Sequence, residues 1–304
     1  MSDAPSSLAR AADAPDDDVW SILRMILWSA EYLQGKGIET GRLDAEHLLA
    51  HVLGMQRLQL YLQYERPLTP GELDTYRPLL KRRAAREPLQ HIVGVQPFRE
   101  LELRVDPSVL VPRPETEVLV DAVLEWAKGA GRTDLTALDV GTGSGAIALS
   151  LAMEGPFARV IATDVDDDAL GLARENRAAA ELEERVDLRT GDLFQALENG
   201  ERFDVVVSNP PYIPDGDASG LEPEVRDWEP RRALFAGADG LDVLRCLVDE
   251  THRHLVPGGL FAVEVGSGQA AAVADLIRRA ERYDAPRILR DYSGRERFVL
   301  AHGL

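Results

Sequence analysis

The regular alternation of strands and helices in the second part of the chain constrains its fold more than any other feature. From Thr133 onward, short apolar runs of strand character alternate with helical stretches: Thr136 to Val140, a helix to Met153, Arg159 to Thr163, a helix to Ala180, then Val186 to Arg189. Phe203 to Ser208, Gly259 to Val265 and Glu296 to Ala301 add strands, with helices of apolar period around Val243 to Leu255 and Ala270 to Arg279. Strands that are apolar along their whole length are buried on both faces, and helices between them serve as crossovers. The pattern predicts an α/β fold with a mostly parallel, doubly wound sheet, whose ligands bind outside the carboxyl ends of the strands.

Two motifs fall at such ends. Leu138-Asp139-Val140 runs into Gly141-Thr142-Gly143-Ser144-Gly145-Ala146 and then the apolar Ile147-Ala148-Leu149. The glycines permit a tight turn and close backbone approach, and the helix N-terminus offers free N–H groups, so a nucleotide-like cofactor is expected here. Gly141, Gly143 and Ala146 also satisfy the dinucleotide pattern G-x-G-x-x-G/A. Asp139 separates the readings: a carboxylate repels a dianionic pyrophosphate and attracts the cationic S-adenosylmethionine. Asp164, 23 residues past Gly141 at the end of the second strand, is placed to accept ribose hydroxyls from either cofactor. Asp192, in Gly191-Asp192-Leu193-Phe194, is a candidate acceptor for an adenine amine, and equally an ordinary loop cap.

The second motif, Asn209-Pro210-Pro211-Tyr212, ends the fourth strand and faces the same crevice. An Asn side-chain oxygen and the Pro210 carbonyl are two acceptors for the hydrogens of a planar NH₂ group, and prolines leave such carbonyls rigid and uncommitted to a sheet ladder. Acceptors that strengthen as positive charge grows on nitrogen favour methyl transfer to it, with Tyr212 offering an aromatic face to a planar substrate group.

Around this core the chain divides into an acidic tail expected to be disordered (residues 1–17), a helical domain (18–87), a β-hairpin linker (88–113) and the α/β domain (114–304). The helical domain follows from three- and four-residue apolar spacing in Ile22, Ile26, Ala30 and Leu33 and again in Leu43, Leu48, Leu49 and Leu53. Its last helix carries Arg77, Lys81, Arg82, Arg83 and Arg86, read as a solvated face or as a docking patch. The hairpin is expected between about Phe98 and Val111, turning at Asp106-Pro107-Ser108, with a helix starting near Pro112 to Glu117. His47 and His51 stand one helical turn apart without a third ligand nearby, which makes a helix face the simpler reading than a metal site. Cys246 lies among Val243, Leu244, Leu247 and Val248 and is expected in the core. Trp20 and Trp28 fit the core of the helical domain, while Trp228 is a candidate substrate contact.

Lys and Arg total 34 against 52 Asp and Glu, a net charge of −18, which disfavours binding to phosphate backbones. The single cysteine excludes an intramolecular disulfide, and the N-terminus shows no signal-peptide pattern, so a cytoplasmic protein without membrane contact is expected.

Asn209-Pro210-Pro211-Tyr212 together with Asp139-x-Gly-x-Gly-x-Gly resembles class I methyltransferases acting on planar NH₂ groups. Further segments narrow the resemblance. Pro88-Leu89-Gln90-His91-Ile92-Val93-Gly94 with Phe98, Val111-Pro112-Arg113-Pro114-Glu115-Thr116-Glu117, Glu229 to Leu234 and Arg290 to Arg297 are similar to the release-factor glutamine methyltransferases, the PrmC/HemK family. The resemblance implies S-adenosylmethionine as cofactor and, as substrate, the glutamine of the Gly-Gly-Gln tripeptide in peptide-chain release factors, methylated on its side-chain nitrogen. It implies that Gly141, Thr142, Gly143, Ser144, Gly145, Asp164 and Asn209 contact the cofactor and that Asn209, Pro210, Pro211 and Tyr212 hold the glutamine. Leu193 stands where some members place an aromatic residue against adenine. A monomeric enzyme whose helical domain and hairpin recognise the body of the factor is expected. Glutamine methylation of a ribosomal protein, DNA adenine-N6 methylation and dehydrogenase-type nucleotide binding are the competing functions; the acidic charge argues against DNA, and Asp139 with Asn209 against the dehydrogenase.

Overall fold

The computed structural model describes residues 19–304, and the acidic tail expected over residues 1–17 lies outside the described residues. The chain forms two units, one ending at Val93 and the other spanning Gly94–Leu304.

The first unit is helical: α1 (Ile22–Gln34), α2 (Gly41–Leu53), α3 (Arg57–Tyr61), α4 (Pro70–Ala84) and α5 (Leu89–Val93). α1 starts where the Ser21 side chain accepts from the Arg24 N–H, and α4 where Thr69 and Glu72 cap one another's backbone with Pro70 in the first turn. Ile22, Ile26 and Leu33 of α1, Leu48 and Leu49 of α2, Leu60 and Tyr76 are fully buried together. Trp28 stacks on Tyr32 and meets Trp20 edge-on, both against this core. On α2 the buried stripe runs through Asp44, Ala45, Leu48 and Leu49, leaving Leu43 exposed instead of in the core. The reason is a buried ion pair, Arg83 Nε to Asp44 Oδ2 at 2.6 Å, which draws Asp44 inward and joins α2 to α4. Much of the basic run is paired internally: on α4 Arg82 pairs with Glu87 and Arg77 with Asp74, while Arg86, which lies past the end of the helix and not on it, donates to the Gly37 carbonyl.

The second unit opens with a hairpin, β1 (Val95–Phe98) and β2 (Leu101–Arg104), paired antiparallel from Val95↔Arg104 to Phe98↔Leu101. Its turn is Arg99-Glu100, with Arg99 at φ +52°, and not Asp106-Pro107-Ser108 as the sequence suggests. The latter is a local turn held by Asp106 Oδ1, which accepts from the Ser108 N–H and hydroxyl, and Val109–Val111 after it forms no strand. α6 (Pro114–Gly129) follows, with Pro at its start and Glu115 and Glu117 in its first turn.

The sheet has the order β5-β4-β3-β6-β7-β9-β8, where β3 is Leu135–Val140, β4 Phe157–Asp164, β5 Val186–Thr190, β6 Phe203–Ser208, β7 Leu255–Glu264, β8 Arg287–Arg290 and β9 Glu296–His302. β5, β4, β3, β6 and β7 are parallel; β9 runs antiparallel to β7, and β8 antiparallel to β9. Alternate residues of each strand feed two cores. Val205 and Val207 pack with α6 and α7 (Ala146–Glu154), whereas Val206, Phe261 and Val263 pack with α10 (Asp242–Glu250) and α11 (Ala270–Ala280). The intervening α8 (Asp167–Ala179) and α9 (Pro223–Trp228) complete the α-helices among the described residues. α10 buries Leu244, Leu247 and Val248, and Cys246, off this stripe, is exposed, contrary to the expectation of a core residue. No helix among the described residues is long and apolar enough to cross a membrane.

The topology sets the site. The chain winds outward from β3 through β4 to β5, then returns to β6 on the other side of β3, so the switch point lies between β3 and β6. Their ends are in register, Asp139 opposite Val207, and the Ser208 hydroxyl donates to the Val140 carbonyl at 2.6 Å. The glycine loop and Asn209 thus leave neighbouring strands side by side.

Candidate active site

A cleft of about 370 Å³ opens at this switch point, of the size that takes a small-molecule ligand. Gly141, Thr142, Gly143 and Ser144 form its floor beside β3, Asp164, Val165 and Asp166 follow β4, and Asp192 and Leu193 follow β5. Asn209, Pro210 and Pro211 close the β6 side, with Val109, Pro112 and Thr116 on one wall and Pro230, Arg232 and Phe235 on another. Arg113 Nη2 donates to both carboxylate oxygens of buried Glu229, each at 2.7 Å, and ties these two walls together.

The floor is shaped by backbone geometry. Gly141 and Gly143 have φ of +75° and +53°, and a Cβ at either meets no atom within 4 Å, so each turns open space toward a ligand. Asp164 holds the loop from β4: its Oδ2 accepts from the Gly143 N–H at 2.8 Å and its Oδ1 from the Asp166 N–H at 2.9 Å. Burial pushes this carboxyl above its ordinary range.

Four of the residues singled out in the sequence do not line the cleft. Gly145 caps α7 at φ +87°, with Leu149 where its Cβ would project. Asp139 is wholly buried behind the loop; its Oδ2 accepts from the Thr142 hydroxyl at 2.7 Å and the Ala148 N–H at 3.2 Å, its Oδ1 has no partner, and burial pushes the carboxyl up to about 7. It supports the loop from beneath. Tyr212 donates its hydroxyl to Glu264 Oε1 at 3.3 Å, with the Arg297 guanidinium 5.6 Å from its ring centroid. Trp228, at the end of α9, is likewise absent from the lining.

Asn209 Nδ2 donates to Thr116 Oγ1 at 3.1 Å, while its Oδ1 is buried with no partner among the described residues. Thr116 in turn donates to Glu264 Oε2 at 2.7 Å. Glu264 is almost completely buried, which pushes its carboxyl up, against the opposing pull of Thr116, Arg297 and Tyr212. Sequence reasoning gave neither Thr116 nor Glu264 a role. The signal for Glu264 is a carboxylate ending the apolar Leu260-Phe261-Ala262-Val263, the same pattern that marks Asp139.

The residues fit S-adenosylmethionine. Asp164, Asp166 and Asp192 line the cleft against a single lining cation, Arg232, itself 3.2 Å from Asp166 among the described residues. An acidic cleft suits a cationic cofactor and opposes a pyrophosphate, so these three carboxylates carry the distinction that the sequence assigned to Asp139.

A doubly wound sheet with an antiparallel β9, a glycine loop after β3 and an Asn-Pro-Pro-Tyr segment after β6 define a class I methyltransferase fold. Residues 24–94 match the PrmC N-terminal domain and residues 115–221 the methyltransferase small domain. The chain is similar to the release factor glutamine methyltransferase of Geobacter sulfurreducens, 45% identical over 86% of this chain and 90% of that protein. Its similarity to the enzyme of the same name from Rhodopirellula baltica is 37% identity over 95% of this chain and 98% of that one. A crystal structure of a methyltransferase from Pyrococcus furiosus, 21% identical, superposes with a TM-score of 0.53 over 74% of this chain and all of that one, and shows the shared fold. The chain belongs to the release factor glutamine methyltransferase family.

Proposed function

We propose that this enzyme methylates the side-chain nitrogen of the glutamine in the Gly-Gly-Gln tripeptide of peptide-chain release factors, using S-adenosylmethionine. The observation that carries this reading is the buried, unpartnered Oδ1 of Asn209 beside the cleft, an acceptor awaiting a donor. Gly141 to Ser144, Asp164, Asp192 and Leu193 would hold the cofactor, which supplies an electrophilic methyl group when bound.

Asn209 Oδ1 and the Pro210 carbonyl accept the two hydrogens of the glutamine NH₂. An amide nitrogen is a poor nucleophile because its lone pair is delocalised into the carbonyl. Acceptors on both N–H bonds turn that lone pair toward the methyl carbon and strengthen as positive charge grows on nitrogen, so they stabilise the transition state more than the ground state. The nitrogen would take the methyl group that the bound cofactor supplies, the bonding pair staying with sulfur, and would lose one of its two protons to water. That proton is acidic only after transfer, so no strong base is needed first. We assign recognition of the body of the factor to the helical unit and the hairpin.

Mass spectrometry of release factors incubated with enzyme and cofactor tests this. A single added methyl on the tripeptide glutamine is expected, with Asn209→Ala slower by about 10²–10³-fold. Methylation of a ribosomal protein or of DNA in place of the factor would overturn it.

A further inference from the structure

A carboxamide is nearly symmetric in shape and opposite in chemistry at its two ends: NH₂ donates and oxygen accepts. Which end of Asn209 faces the substrate therefore has to be set by something else. Thr116 Oγ1 lies 3.1 Å from Asn209 Nδ2 and 2.7 Å from Glu264 Oε2. Glu264 sits at the end of β7, buried, its other oxygen taken by the Tyr212 hydroxyl at 3.3 Å. A hydroxyl has one proton. With that proton committed to the carboxylate, Thr116 presents only lone pairs to Asn209, so Asn209 must turn its NH₂ to Thr116 and its oxygen away, the oxygen that is buried without a partner.

We infer that Thr116 and Glu264 are positioning residues that fix the orientation of the Asn209 amide and thereby make the site select a side-chain amide over a carboxylate. With Oδ1 outward, Asn209 welcomes a group that donates N–H bonds. A glutamate at the same position has only acceptors and leaves two buried oxygens facing each other. Were the amide free to turn, Asn209 would offer its NH₂ and tolerate the carboxylate. This rests on the glutamine-methylating reading above.

The test compares a release factor carrying Gln with one carrying Glu in the tripeptide, each titrated calorimetrically against enzyme loaded with S-adenosylhomocysteine. The body of the factor is common to both, so the ratio of the two dissociation constants reports on the pocket alone. The wild-type enzyme should favour the Gln form by at least about 10-fold, since a site built to receive donors rejects a group that lacks them. Thr116→Val, which keeps the shape and removes the acceptor, should lower the ratio by about 3-fold or more, the remaining preference coming from the Pro210 carbonyl, and Thr116→Ser should preserve the wild-type ratio. Thr116→Ala replaces Thr116→Val if that variant does not fold. A wild-type ratio retained by Thr116→Val, or lost equally by Thr116→Ser, overturns the inference, as does a wild-type ratio near one. A wild-type enzyme that leaves the Gln factor unmethylated in the presence of S-adenosylmethionine overturns instead the underlying reading.

Discussion

Asp139 and Glu264 are carboxylates at the ends of apolar strands, and each is buried with one oxygen or both held by hydroxyls. Such placement makes the charged form costly, and for Asp139 the cost is testable. Its folded value of about 7 stands above the ordinary 3.8, so between these values the folded protein keeps a proton that the unfolded chain releases. Stability is then greatest below the lower value, falls as pH rises toward 7, and is level above it. An Asn at this position keeps its oxygen on the Thr142 and Ala148 donors and puts its NH₂ where Oδ1 has no partner. Asp139→Asn should therefore gain stability relative to wild type, by about 2 kcal/mol as pH rises from about 5.5 to about 8. Urea denaturation across that range checks it; a difference that shrinks with rising pH would refute the assignment. Asp139 was conspicuous in the sequence because it precedes the glycine loop, yet its side chain's direction could not be read there. Thr116 and Glu264 are 148 positions apart, and only the packing of α6 over β7 brings them to Asn209.

At the level of elements, the sequence discloses what burial on two faces demands. β6, Phe-Asp-Val-Val-Val-Ser, is buried at every residue and stands out as an apolar run. β8 is not legible in the sequence because it is a four-residue edge strand that begins with Arg287 and ends with Arg290 and is half exposed, without a period to detect. The hairpin was found with the wrong turn, since Asp-Pro-Ser carries the residues that turns favour and Arg-Glu does not. On α2 the apolar spacing concealed a polar bond: Asp44 belongs to the core because Arg83 reaches it from α4. Two buried charges are expensive to strand singly and cheap to replace together. Arg83→Met or Asp44→Leu alone should cost about 3–5 kcal/mol, and the double substitution less than either. Guanidinium denaturation of the full chain followed by tryptophan fluorescence measures all three, and additive losses would show that the pair acts as two independent sites.

For the molecule as a whole, the charge of −18 and the cleft act with the same sign. Asp164, Asp166 and Asp192 line a cleft whose one cation among the described residues, Arg232, is paired to Asp166, and the net negative charge of the chain has the same sign. A ligand with a net positive charge is drawn in by both, whereas S-adenosylhomocysteine, which has lost the methyl group with the sulfonium charge, is otherwise alike and, being net neutral, is drawn in far less. Screening reaches exposed charges first: the Debye length shortens from about 10 Å at 0.1 M salt to about 3 Å at 1 M. Calorimetric affinity for S-adenosylmethionine should therefore weaken several-fold between about 0.05 and 0.5 M sodium chloride, while that for S-adenosylhomocysteine changes little. A dinucleotide would strengthen over the same range, because salt would relieve its repulsion. Parallel slopes for the two sulfur ligands would mean that the acidity of this protein serves no part of cofactor binding, and the distinction between a cationic and an anionic cofactor would then have to lie in the loop's backbone donors alone.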